Sequence, residues 1–132
     1  MPDQMSVERT GEVFGRYADA DDLSTLADDV VYRIMATGEA FQGLAGIRQL
    51  FGRMYEQAFQ ADAYERSRVV GAGRVAAEWE FVGTHIAEFD GVPATGKAVR
   101  IPFIVMYDLR DDRIVEARVY FEYPVFHAQV SA

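Results

Sequence analysis

The sequence predicts an α+β domain in which helices pack against one strongly curved antiparallel sheet. Three observations carry this. First, the stretch VAAEWEFVGTHIAEFDGVPATGKAVRIPFIVMYDLRDDRIVEARVYFE, Val75 to Glu122, alternates apolar and polar residues across two turn signals, DGVPATG and RDDR. One face carries Trp79, Phe81, Phe103, Val105, Tyr107, Ala117, Val119 and Phe121, and the other mixes Glu78, Glu80, Met106, Asp108, Glu116, Arg118 and Tyr120. Successive strand side chains point to opposite faces, so three long strands with one buried face follow. Second, apolar residues recur at helical spacing from Leu44 to Phe59. Third, the order of the remaining signals is helix, helix, strand, helix, then strands only, which places the helices on one side of a sheet.

Taken in order, the first helix runs from Ser6 to Ala20, with Val7, Phe14, Tyr17 and Ala18 near one stripe and Ser6 able to cap its start. A short second helix follows Asp22, with Leu23 and Leu26 inward and Asp28–Asp29 ending it. VVYRIM, bounded by ATGE, is rich in β-branched and aromatic residues and reads as a strand. The third helix, Leu44 to Phe59, places Ile47, Leu50, Phe51, Met54, Tyr55, Ala58 and Phe59 in the i, i+3, i+4, i+7 pattern, with Gly52 its one weak point. Tyr64–Val70 and Val75–Phe89 form a hairpin around GAG, and two further strands complete the sheet. No repeat or linker interrupts this, so residues 1–132 are expected to form a single domain.

Composition limits the function classes. Half the residues are apolar, which excludes disorder. A formal charge of −8 argues against nucleic acid, whose phosphates are bound by clustered Lys and Arg. No apolar run is long enough to span a membrane, and MPDQMSVERT lacks the regions of a signal peptide, so a cytoplasmic protein is expected. There is no cysteine, and His85 and His127 lie too far apart in sequence to form a helical metal pair.

GTHIAEFDGVPATGKAV leading into RIVEARVYFE, in this order of elements, resembles the fold of ketosteroid isomerase and nuclear transport factor 2. More narrowly, the chain is similar to the SnoaL-like polyketide cyclases and their relatives, the limonene-epoxide hydrolases, from about Val7 to Phe126. The resemblance implies a cone-shaped, curved antiparallel sheet packed against three N-terminal helices around an apolar pocket. It also implies a cyclase or isomerase that needs no cofactor, a hydrophobic small-molecule substrate, and a homodimer through the outer sheet face, where Ile104, Met106 and Tyr120 are available. A fold hosts many reactions, so the site must be read position by position. The isomerase Tyr falls on Tyr17, but its base falls on Ile34 and its oxyanion Asp on Val105. The epoxide hydrolase Arg and its two Asp fall on Trp79, Phe81 and Val119, none of which can activate water. Of the cyclase pair in the last strand, the His falls on Ala117 and the acid on Glu122.

The catalytic candidates are therefore Tyr17, His85 and Glu122. Tyr17 is either a core aromatic or a donor to a bound carbonyl. His85 shares strand parity with Trp79 and Phe81 and is expected inward near the rim, structural or catalytic. Glu122 is either a solvated strand end or an acid in an apolar pocket, where burial would raise its pKa. The expected substrate-binding wall is Tyr32, Ile34, Phe51, Tyr55, Trp79, Phe81, Phe103, Val105, Tyr107, Ala117, Val119 and Phe121, residues that equally suit a filled core. Asp62 and Glu65, placed to reach over a pocket mouth, are a further source of acid–base chemistry. Two functions follow: a cofactor-free cyclase or isomerase that shapes a polyketide-like substrate for ring closure, including a cycloaddition, and a non-catalytic module that binds a hydrophobic ligand or dimerises.

Overall fold

The computed structural model describes residues 5–131, so the first four residues of the stretch read for a leader lie outside it. Helix α1 spans Val7–Ala20 and starts where the Ser6 hydroxyl accepts the Arg9 amide at 3.0 Å. It ends at Asp21, whose left-handed φ of 53° stops the helical path. Thr10, Val13 and Phe14 form its buried stripe, while Val7 stands exposed.

The expected second helix is a single 3₁₀ turn, Leu23–Thr25, closed by Asp22 accepting the Ser24 amide at 3.0 Å. Leu26 to Asp29 belong instead to strand β1, Leu26–Ile34. Asp28 and Asp29 sit exposed at a register irregularity between Leu26 and Val31, so the polar pair interrupts the pairing without ending a helix. After the short β2, Ala40–Gln42, helix α2 covers only Gly43–Gly52. The chain then widens into a π turn, Arg53–Gln57, closed by the Ala58 amide on the Arg53 carbonyl at 2.8 Å. Phe59, read from periodicity as the end of this helix, is the first residue of β3, Phe59–Gly71. It is fully buried as a strand residue, and its apolar side chain extends the helical period of the residues before it.

Strands β4, Arg74–His85, β5, Ala98–Arg110, and β6, Arg113–Phe121, lie close to where alternation places them, except that β4 stops at His85 rather than at Phe89. The sheet is open, with the order β2-β1-β6-β5-β4-β3. Its pairs are antiparallel except β1 with β6, which run parallel, so the sheet is mixed. Irregularities at Glu65/Ser67 and Asp108/Leu109 bend the long strands. Gly83 lets β3 approach β4 closely, since a Cβ there would stand 2.3 Å from the Gln60 carbonyl oxygen. Helix α3, Tyr123–Val130, was not foreseen, although Pro124 is a start signal. It covers the far end of the sheet with Phe126 and Val130. Among the described residues the α-helices thus comprise two on the N-terminal side and one toward the C-terminus. No helix among the described residues is long and apolar enough to cross a membrane.

Candidate functional site

The inner face of β4, β5, β6 and β1 and the underside of α2 enclose a cavity of about 100 Å³. The sheet register sets its walls in rows. Tyr107, Ala117 and Tyr32 are paired across β5, β6 and β1, Val105, Val119 and Ile34 form the next row, and Phe103 and Phe121 follow. Trp79 stacks beside Phe103 with ring centroids 6.2 Å apart, and Phe81 meets Phe121 edge to face at 5.5 Å. Tyr17 reaches in from α1, and Phe51 and Tyr55 close the roof from α2 and the π turn. A wider vestibule of about 380 Å³ adjoins this cavity and shares Tyr17, Phe51, Tyr55, Ala63 and Trp79 with it. Asp21 and Asp62 are its carboxylates.

Polar character inside is concentrated in hydroxyls. The Tyr17 and Tyr32 hydroxyls hydrogen-bond each other. Burial pushes the Tyr17 hydroxyl up to about 12, against the opposing pull of its Tyr32 and Tyr107 neighbours, and the Asp21 charge adds to the rise. Burial likewise raises Tyr32, Tyr55 and Tyr107, so all four phenols are neutral donors at physiological pH. The Trp79 Nε1–H lies near the Tyr107 hydroxyl but makes no well-formed hydrogen bond, and it is buried.

All the residues read as a binding wall line the cavity except Ala117, which is fully buried behind it between Tyr107 and Tyr32. Of the three catalytic candidates, Tyr17 alone is present. His85 is not at a rim. The DGVPATG segment folds back on it through Lys97 and Gly96 backbone bonds, its Nδ1 pairs with the Thr95 hydroxyl at 2.9 Å, and Phe59 and Phe126 pack against its ring. Strand parity correctly points it inward, but α3 buries it away from the cavity. Glu122 is exposed, because the strand ends at Phe121 and its carbonyl turns to accept the Val125 and Phe126 amides that start α3. Glu65 is held by Arg68 at 2.6 and 2.7 Å and is not free for chemistry.

Leu50, Met54, Ala63, Arg53 and Tyr123 also line the cavity. Leu50 and Met54 stood in the apolar helical stripe, and Ala63 follows β3 alternation from Ala61. Tyr123 belongs to the unforeseen α3, and Arg53 carries no sequence signal. Among the described residues no group of three His, Cys, Asp or Glu is placed to hold a metal ion.

Residues 7–130 match the family described as SnoaL-like polyketide cyclase. The chain belongs to that family. Solved structures agree on the fold. A candidate SnoaL-like polyketide cyclase from Jannaschia sp. CCS1 is 18% identical and superposes with a TM-score of 0.80, covering 100% of this chain and 96% of its own. A candidate polyketide cyclase from Xanthomonas campestris pv. campestris is 26% identical, with a TM-score of 0.75 over 94% of this chain and 98% of its own. A candidate ketosteroid isomerase from Kribbella flavida DSM 17836 is 16% identical, with a TM-score of 0.65 over 87% of this chain and 78% of its own. Among curated proteins none matches the sequence. Membership in the SnoaL-like family supports a cyclase kind of function. In this SnoaL-like chain the inner cavity offers hydrocarbon, indole, phenol and the Arg53 side chain, and among the described residues the carboxylates stand at the mouth.

Proposed function

We propose that this chain is a cofactor-free cyclase or isomerase that folds a hydrophobic, polyketide-like substrate into a reactive shape for ring closure, with little acid–base help. The observation that carries this reading is the cavity wall, apolar throughout the inner rows except for the Tyr17, Tyr32 and Tyr107 hydroxyls gathered at one end. Holding two parts of a flexible chain in contact supplies the orientation that ring closure lacks in water. A carbonyl oxygen set among the phenols would be polarised by donors that stay neutral, as charge develops on that oxygen. In an aldol closure, the α-proton leaves through the mouth, where the Asp62 carboxylate is exposed and forms no ion pair with the described residues. The enolate carbon then bonds to a second carbonyl carbon, and the oxygen of that carbonyl takes up the proton that Asp62 returns. The cyclic product has the same atoms as the substrate, so such a cyclase is formally an isomerase. A cycloaddition would use the same wall with no proton transfer. Dimerisation through the outer face, where Ile104 and Tyr120 stand exposed and paired across β5 and β6, belongs to the same reading.

The test is turnover of a linear aryl 1,5-diketone to its cyclic β-hydroxyketone. Tyr17→Phe is expected to lower kcat by about 10²-fold, the scale of losing one donor to a developing oxyanion. Asp62→Asn should cost less and act on the pH profile. Equal turnover in wild type, Tyr17→Phe and Trp79→Ala would sink the proposal. The small inner volume, below the ~300–1,000 Å³ usual for ligand sites, favours a second reading, a non-catalytic interaction module that dimerises. A dimer in solution that neither binds nor turns over the diketone would select it.

A further inference from the structure

The Tyr17, Tyr32 and Tyr107 hydroxyls mark one polar end of the cavity, and Arg53 stands with Tyr123 at the other. Along β6 the inward rows run from Ala117, beside Tyr107 and Tyr32, through Val119 to Phe121, roughly 13 Å at ~3.3 Å per residue. Arg53 lines the cavity beyond those rows from the π turn and shares an outer pocket with Tyr123 and Phe89. Its guanidinium is clamped. Nη1 and Nη2 donate to the two Glu39 oxygens at 3.1 and 3.2 Å, and Cζ lies 5.1 Å from the centre of the Phe41 ring. The Nε–H is buried without an acceptor among the described residues. A buried donor left unmet costs about 1–3 kcal/mol, and native structures keep few of them. Arg53 sits on a π turn, a distortion frequently found at functional positions.

We propose that Arg53 is a second polar anchor of the cavity, its Nε–H receiving an uncharged carbonyl oxygen at the end of the substrate remote from the tyrosines. The inference deepens the cyclase reading of this site and rests on it. The acceptor is uncharged because Glu39 already balances the guanidinium. An incoming carboxylate would gain nothing from the neutral pair and would face the Glu39 oxygens. A ketone takes the hydrogen bond without that repulsion. The substrate class narrows to an elongated hydrophobic molecule bearing a neutral carbonyl at each end, one to be polarised by Tyr17 and the other to fix direction and register. Arg53 is in this sense a specificity-determining residue.

Equilibrium binding of three probes to the full chain tests this: 2-acetylnaphthalene, 2,6-diacetylnaphthalene and 6-acetyl-2-naphthoate. The diketone should bind the wild type about 10-fold more tightly than the monoketone, or ~1.4 kcal/mol. That ratio should fall to about one in Arg53→Met. Arg53→Lys, which keeps a cation for Glu39 but has no donor at the Nε position, should give the same fall and guards against a misfolded Met variant. The naphthoate should bind no better than the monoketone. A wild-type ratio near one, or a ratio that survives Arg53→Lys, overturns the anchor. A naphthoate that binds more tightly than the diketone overturns the uncharged acceptor. Tyr17→Phe separates the two readings. If it weakens both ketones alike and leaves the ratio intact, both stand. If it changes neither while Arg53→Lys abolishes the ratio, the tyrosine end fails and the Arg53 end stands. Failure of either ketone to bind the wild type overturns both.

Discussion

On the inner face of β4, β5 and β6, Phe81, Phe103 and Phe121 pack ring against ring, whereas on the outer face of the same strands charge meets charge. There Glu80 accepts from Arg100 at 2.6 Å and from Arg66 at 3.2 Å. Arg118 donates to Asp108 at 2.7 Å and to Glu116 at 2.8 Å, and these bonds raise its pKa above the usual arginine value while lowering that of Asp108. Strand alternation separates the two chemistries by one residue. The acidic chain keeps its carboxylates out of the cavity and neutralises many of them on the far side of the wall. What remains inside is shape, five phenols and the Glu39-paired Arg53, which is why the proposed chemistry leans on orientation and polarisation.

The contrast breaks most visibly on the inner face. Phe81 is 1% exposed and contacts Tyr55, Phe59 and Phe121. Phe81→Ala is expected to cost about 3–5 kcal/mol in urea unfolding, through lost burial and the space left behind. A loss below ~1 kcal/mol would mean that this wall is loosely packed.

Next in size is an alkaline effect of the buried phenols. Tyr17 is raised from the ordinary 10 to about 12, and Tyr32, Tyr55 and Tyr107 are raised as well. A raised pKa favours the protonated form in the folded state, so the stability linked to it is complete below pH ~10 and is lost as pH climbs toward ~12. Each phenol held neutral while the unfolded chain ionises contributes ~1.4 kcal/mol per pH unit in that window. Denaturant midpoints between about pH 9 and about pH 11 should fall, with tyrosinate absorbance appearing together with unfolding. Ionisation of these phenols in the intact fold would contradict it.

The smallest effect belongs to the outer face. Arg118→Ala removes a pair of partly exposed ion pairs and should cost about 1 kcal/mol or less, shrinking further in high salt. A cost near that of Phe81→Ala would erase the distinction between the faces.

The wall was legible because a period of two leaves a clear trace in β4, β5 and β6. What the alternation did not reveal lies where chain direction or helix type changes. Tyr17 and Tyr32 come from a helix and a strand with no pattern linking them, and only tertiary packing joins their hydroxyls. Arg53 gains its place from a π turn, which the continuous apolar stripe through Tyr55 and Phe59 concealed. One element decides both remaining candidates: α3 begins directly after Glu122, so His85 is buried and not at a rim, and Glu122 takes the solvated strand end of its two readings.

The parallel pairing of β1 with β6 also sets when the cavity comes into being. The hairpins β3–β4, β4–β5 and β5–β6 join neighbours along the chain, but Tyr32 on β1 meets Ala117 on β6 nearly two thirds of the chain away. Contacts so distant in sequence must close a large loop before any native interaction rewards them, and they are slow to form. Folding kinetics should therefore divide the molecule into an early meander and a late strand. Because that late strand brings Tyr32 to Tyr17, a newly made chain has its sheet before it has its phenol cluster.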